Sequence, residues 1–165
     1  MRPRHPVPTG ALRPLWRAAV ALVLCQRGPT PADGDVLRVP EDHATLRAAV
    51  AAAAHDDTIL VAPGLHQGGA FVDRKSLTIA SWFLTTGDTA LVSRTVLSGA
   101  AADMCSGQPG CVGRSVLEFG AAAHGSAVVG LTLTGGEDGV RSQAMVDITG
   151  CRVVGNGDGV DFVSG

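Results

Sequence analysis

The chain has 165 residues, of which 45% are hydrophobic, a composition that fits one globular domain and argues against disorder. Residues 35–165 hold eight basic and fourteen acidic groups, a net charge of −6. This excludes nucleic acid as an expected partner, because affinity for nucleic acid depends on Lys and Arg that neutralise phosphates. With 22 Gly and no Tyr, the composition indicates a core of small aliphatic side chains in short strands.

Residues 1–34 have the features of a leader for export. Five Arg against Asp33 give this segment a net charge of +4, and a short apolar run extends from Ala18 to Cys25. Small residues in "PTPADG" then offer a cleavage site, so we predict a signal peptide and a secreted or cell-surface protein. The alternative is a Pro- and Arg-rich leader without a targeting role. No transmembrane span is expected, because the apolar run is too short to cross a bilayer.

The segment "VLRVPEDHATLRAAVAAAAHDDTILVAPG" predicts a strand, a helix and a strand. Apolar residues recur at helical spacing, at Leu46, Ala49, Val50 and Ala53. They form one apolar stripe, which predicts a helix over residues 45–54.

From residue 70 onward the chain shows nine short apolar runs and no second strong helical pattern. Each run has three to five residues and is bounded by Gly, Ser, Asp or Asn, which is typical of strands and turns. The runs are 70–72, 77–80, 95–97, 115–119, 127–129, 131–134, 145–148, 151–154 and 160–163. They exclude a doubly wound α/β sheet and leave two all-β folds, an antiparallel sandwich and a parallel β-helix.

A glycine-rich turn that repeats after twenty residues favours the parallel β-helix. Residues 135–140 ("GGEDGV") align with residues 155–160 ("GNGDGV"). The alignment also places Leu131 over Cys151 and Leu133 over Val153, so the strand before the turn repeats as well. A fixed period of this size is typical of a solenoid, in which each coil buries its apolar face against its neighbours.

The chain resembles the right-handed parallel β-helix proteins of the pectin lyase-like superfamily over residues 36–165. The segments that carry the resemblance are "VPEDHATLRAAVAAAAHDDTILVAPGLHQ", "KSLTIAS", "TVLSG", "SVLEFGAAAHGSAVVGLTLTGG" and "VDITGCRVVGNGDGV". The resemblance implies an all-β fold, a right-handed parallel β-helix (solenoid) with an N-terminal capping α-helix, over residues 35–165. It also implies that Asn156 occupies a coil corner and points inward, where its amide satisfies backbone groups. The alternative is an ordinary turn Asn.

Asp158 and Asp161 are the candidate metal ligands, with calcium as the ion. Residues 156–164 ("NGDGVDFVS") fit the calcium-binding β-roll pattern at its Gly, Asp and apolar positions. The tandem copies nine residues apart that such rolls use are missing from the sequence. A Gly-Asp turn with solvated carboxylates is therefore the alternative, and no other cofactor is expected.

Asp138 and Asp158 occupy equivalent positions in successive coils and would lie about 5 Å apart if the strands stack in register. Paired carboxylates can perform acid–base chemistry on a glycosidic bond or bind calcium. The alternative is a pair of polar turns on the outside of the solenoid. No catalytic set of the resembling enzymes can be transferred to this sequence, so the catalytic residues stay unassigned.

The cysteines indicate one disulfide and one buried thiol. Cys105 and Cys111 bracket "SGQPG", a turn that would bring the sulfurs together in an exported protein. The alternative is two free surface thiols. Cys151 aligns with Leu131, which predicts a buried apolar thiol.

Two functions are consistent with these patterns. The first is an exported, non-catalytic solenoid that binds glycans or other proteins. The second is the N-terminal fragment of a polysaccharide-active enzyme, a pectate or alginate lyase, a hydrolase or an epimerase. Residues 160–163 would form an open strand edge, so we expect a domain truncated at its C-terminus and completed by further coils or by a capping partner.

Overall fold

The structure, a computed structural model, describes residues 34–100 and 114–163. Their strands form three parallel sheets. Sheet A contains β1 (Val36–Val39), β2 (Thr58–Val61), β5 (Thr78–Ser81), β8 (Ser126–Val129) and β11 (Val146–Thr149), in this spatial order. Sheet B contains β3 (Gly64–Gln67), β6 (Thr95–Ser98), β9 (Thr132–Thr134) and β12 (Arg152–Val153). Sheet C contains β4 (Ala70–Val72), β7 (Leu117–Phe119), β10 (Asp138–Ser142) and β13 (Asp158–Phe162).

From β2 onward the chain visits sheets A, B and C in rotation, and each pass adds one strand to each sheet. Every strand pair in the described ranges is parallel. The antiparallel sandwich is therefore excluded for this part of the chain. Stacked parallel sheets visited in rotation are compatible with a β-helix or a related solenoid.

The twenty-residue repeat is confirmed by the strand register. Val153 pairs with Leu133, and Val160 pairs with Val140. Because side chains at paired positions of parallel strands point to the same face, equivalent residues stack into ladders. The longest aliphatic ladder runs through sheet A and consists of Leu37, Ile59, Ile79, Val128 and Ile148. These residues belong to the core or pack against it, and each buried aliphatic side chain contributes about 1.5–3 kcal/mol of burial free energy.

The predicted helix is confirmed as α1 (Leu46–Ala52). Thr45 caps its start, since its Oγ1 accepts a hydrogen bond from the Ala48 N–H at 3.2 Å. The helix buries Leu46, Ala49 and Val50, and it contacts β1, β2 and β4 at the end of the stack where the first strands lie. This placement matches the predicted role of a cap over the first coil.

Two short helices, α2 (Phe83–Thr86) and α3 (Ala90–Arg94), lie between β5 and β6 and were not predicted. They have four and five residues, too few to show a helical period in the sequence. No helix in the described ranges is long and apolar enough to cross a membrane. Residues 1–33 of the predicted leader lie outside the described residues, so the leader stays a prediction.

Candidate functional site

Charged side chains form a ladder on sheet C. The register places Arg141 on β10 beside Glu118 on β7 and beside Asp161 on β13. One Arg141 guanidinium nitrogen, Nη1, lies 3.5 Å from Asp161 Oδ2 and 3.6 Å from Asp138 Oδ2. The Arg141 side chain is 28% exposed, so it links two carboxylates from successive turns of the chain in a partly dry environment.

Asp138 is the most enclosed carboxylate in this group. The residue is buried, and its Oδ2 accepts a hydrogen bond from the Ser115 hydroxyl at 2.9 Å. The same oxygen faces Arg141. A buried carboxylate needs such partners, because a charge without them would be costly to remove from water. Asp138 therefore has a structural role in joining β10 to the segment before β7.

The predicted stacking of Asp138 and Asp158 is confirmed, since the two residues are register partners in β10 and β13. Their environments differ, however. Asp138 is buried against Ser115 and Arg141, whereas Asp158 is exposed. One carboxylate of the pair is therefore enclosed by protein and the other faces solvent. Pairs of carboxylates that act as acid and base also have different environments.

The calcium hypothesis for Asp158 and Asp161 stays a prediction. Both residues lie on β13, and Arg141 from the neighbouring strand approaches Asp161. Within the described residues, no group of three or more His, Cys, Asp or Glu side chains is arranged to hold a metal ion. A cation at Asp161 would have to share this carboxylate with the Arg141 guanidinium.

Asn156 occupies the coil corner and points inward, as predicted. Its Nδ2 donates to the Leu133 carbonyl at 3.1 Å, and its Oδ1 accepts from the Gly136 N–H at 2.9 Å. Both partners lie about one turn earlier in the chain. The amide therefore connects two successive corners and satisfies backbone groups at the bend, which confirms the inward role over that of an ordinary turn residue.

The three cysteines with a predicted role have different outcomes. Cys105 and Cys111 lie outside the described residues, and their disulfide stays a prediction. Cys151 is half-buried and packs against the core. Burial raises the pKa of the Cys151 thiol, and backbone hydrogen bonds, chiefly at Leu131, oppose this rise in part. The high pKa disfavours the reactive thiolate at neutral pH.

The contact of Arg141 with Asp138 and Asp161 was not predicted. One signal was available, because Arg141 follows Asp138 by three residues and aligns with Asp161 in the twenty-residue repeat. Ser115 carried no such signal, since it lies 23 residues before Asp138 and outside the repeat.

A scan against protein-family models and searches of curated proteins and of solved structures found no match to this chain.

Proposed function

We propose that this chain is a right-handed parallel β-helix repeat domain that acts outside the cell as a non-catalytic binding or structural solenoid. Its partners would be polysaccharides or surface proteins. The right-handed sense rests on a general rule, because nearly all crossovers between parallel strands of one sheet are right-handed. The resemblance to the pectin lyase-like superfamily points in the same direction.

The observation that carries the proposal is the register of the three sheets. Strands stacked in register produce long outer faces on which side chains repeat at the strand spacing of about 4.8 Å. Such faces suit repetitive or extended partners, and other solenoids use extended surfaces of this kind for binding. The most enclosed carboxylate, Asp138, is held by Ser115 and Arg141, and this favours a structural use of the charges over catalysis.

A second candidate is a polysaccharide-active enzyme, of which this chain would form the N-terminal part. The register pairing of Asp138 with Asp158 favours it, because one carboxylate is buried and the other exposed. A pair of carboxylates from neighbouring strands is the kind of arrangement that acid–base chemistry on a glycosidic bond uses.

One assay distinguishes the two candidates. The full chain is incubated with pectate, alginate and related glycans, with and without calcium, and the products are analysed for unsaturated and reducing ends. The first proposal predicts retention of the chain on one of the immobilised glycans, or on a surface protein, without product formation. New unsaturated or reducing ends would refute the non-catalytic role and support the enzyme.

Export and the calcium site have separate tests. Export predicts that the chain expressed in a secreting host is recovered outside the cytoplasm with its leader removed, as mass spectrometry would show. Recovery of the intact chain in the cytoplasm would contradict it. Calorimetric titration at millimolar calcium tests whether Asp158 and Asp161 bind the ion. The absence of calcium binding would contradict the proposed metal site.

The strands β11, β12 and β13 each lie at the edge of their sheet in the described part of the chain. Val160 and Phe162 on β13 are 40% and 61% exposed, although their register partners Val140 and Ser142 are buried. We propose that further coils or a capping partner cover this edge, since an open apolar strand edge favours association.

A further inference from the structure

A cleft between α1 and the β4–β5 turn combines basic and apolar side chains. It has a volume of about 330 Å³ and is lined by Arg47, Val50, Ala51, Phe71, Asp73, Arg74 and Lys75. This volume lies at the lower end of the range for small-ligand sites. The cleft is remote in sequence from the charged ladder of β10 and β13.

The charge of the cleft is opposite to that of the rest of the domain. It holds three of the eight basic side chains of residues 35–165 and only one of the fourteen acidic ones. A local positive charge attracts an anionic group, and a cleft of about 330 Å³ admits a small ligand and not a polymer chain. The charge and the size of the cleft together favour a small ligand with one negative charge.

Lys75 and Arg74 differ in how firmly the protein holds their side chains. Lys75 is positioned by the helix, because its Nζ donates to the Val50 carbonyl at 2.5 Å and to the Ala53 carbonyl at 2.7 Å. Arg74 adopts a left-handed backbone conformation with φ of 61°, which is uncommon for a residue other than Gly. Its side chain is 88% exposed, and its Nε lies 3.5 Å from Asp73 Oδ2.

The apolar side chains that line the cleft indicate the kind of body to which the anionic group of the ligand is attached. The half-buried Phe71 belongs to β4, and Val50 and Ala51 belong to α1. An aromatic ring and two aliphatic side chains suit a flat apolar body. A guanidinium group matches the planar geometry of a carboxylate, with which it forms two parallel hydrogen bonds.

We propose that this cleft binds a small organic monocarboxylate with a flat apolar body, held by the guanidinium of Arg74 and by Phe71. The site goes beyond the proposed role of the outer sheet faces and does not depend on it. It belongs to the helix-capped end of the stack, and its ligand is a small molecule and not a polymer.

The test uses isothermal titration of the full chain with benzoate as the probe. Arg74→Gly removes the guanidinium while Gly accepts the left-handed backbone, so this variant is expected to fold. Arg152→Ala removes one exposed positive charge from β12 and is the matched control. We expect Arg74→Gly to weaken benzoate binding about tenfold, as for loss of a charge-assisted hydrogen bond, and Arg152→Ala to change it less than twofold.

Further ligands and one variant test the chemistry of the site. Benzamide lacks the charge, and acetate and sulfate lack the apolar body, so each should bind at least tenfold more weakly than benzoate. Phe71→Leu should weaken benzoate and leave acetate unchanged. Equal affinity for benzamide or sulfate, or equal losses in Arg74→Gly and Arg152→Ala, would overturn the proposal. Circular dichroism of each variant verifies that it is folded.

Discussion

Replacing Asn156 by Ala removes the amide that joins two successive corners of the chain. The Gly136 N–H loses its acceptor at 2.9 Å, and the Leu133 carbonyl loses the bond from Nδ2 at 3.1 Å but keeps the one from the Val154 N–H at 3.0 Å. Each such hydrogen bond contributes about 1 kcal/mol net. Because Asn156 is half-buried and water can replace part of the loss, we expect the free energy of unfolding to fall by about 1–2 kcal/mol for the two bonds together.

Asn156→Asp separates the two hydrogen bonds. The carboxylate still accepts from the Gly136 N–H but cannot donate to the Leu133 carbonyl. A protonated carboxyl group can donate, so folding favours the protonated form and raises the pKa of the introduced Asp above its unfolded value of about 3.9. The stability that this bond restores is present below that unfolded pKa and is lost as pH rises through the folded pKa.

Hydrogen exchange and urea unfolding measure these effects. Exchange of the Gly136 amide should be about fivefold faster in Asn156→Ala, the factor that corresponds to about 1 kcal/mol, and close to the wild-type rate in Asn156→Asp. The stability gap between Asn156→Asp and the wild type should narrow as pH falls toward 4. Gln143→Glu also replaces an amide by a carboxyl group, but at an exposed residue, and it serves as the control. Unchanged Gly136 exchange in Asn156→Ala, or a pH response equal to that of Gln143→Glu, would refute the reasoning.

Three further predictions concern packing, capping and charge. A Cβ on Gly139 would lie 2.3 Å from Val153 Cγ1 and 2.6 Å from the Gly159 carbonyl oxygen, whereas a Cβ on Gly159 meets no atom within 4 Å. In urea unfolding, Gly139→Ala should therefore cost about 2–3 kcal/mol and Gly159→Ala less than about 0.5 kcal/mol, and equal costs would contradict this steric account. Thr45→Ala should cost about 1 kcal/mol by loss of the helix cap, with Thr45→Ser near wild type, and a loss in both variants would exclude the hydroxyl as the cause. Burial lowers the pKa of Lys75, an effect that Asp57 opposes in part, so the folded pKa lies below the unfolded value of about 10.4. The free energy of unfolding should then rise with pH between the folded and the unfolded pKa of Lys75 in the wild type but not in Lys75→Met. Parallel pH profiles of the two proteins in urea unfolding would contradict this prediction.

Several features of the fold follow from local sequence patterns. The stripe that includes Leu46 and Val50 predicted α1 because helical spacing is a property of neighbouring residues. The twenty-residue repeat predicted the stacking of Asp138 on Asp158, since a fixed period in sequence becomes a fixed step between parallel strands. The inward role of Asn156 was implied by the resemblance alone, beside the alternative of an ordinary turn Asn, and the hydrogen bonds of its amide decided between the two.

Other features depend on tertiary structure alone. α2 and α3 are too short to show a period, and they are placed by tertiary contacts, α2 with β5 and α3 with β6 and β9. Asp138 became a buried partner of Ser115 because β10 pairs with β7 at an offset of 23 residues, a step that the twenty-residue repeat does not contain. The basic cleft brings Arg47 of α1 to Arg74 of the β4–β5 turn, 27 residues later. The sequence by itself determined the twenty-residue period and the stacking that follows from it, whereas contacts outside that period were decided by how the chain closes around its core, because no local pattern encodes the distance between such segments.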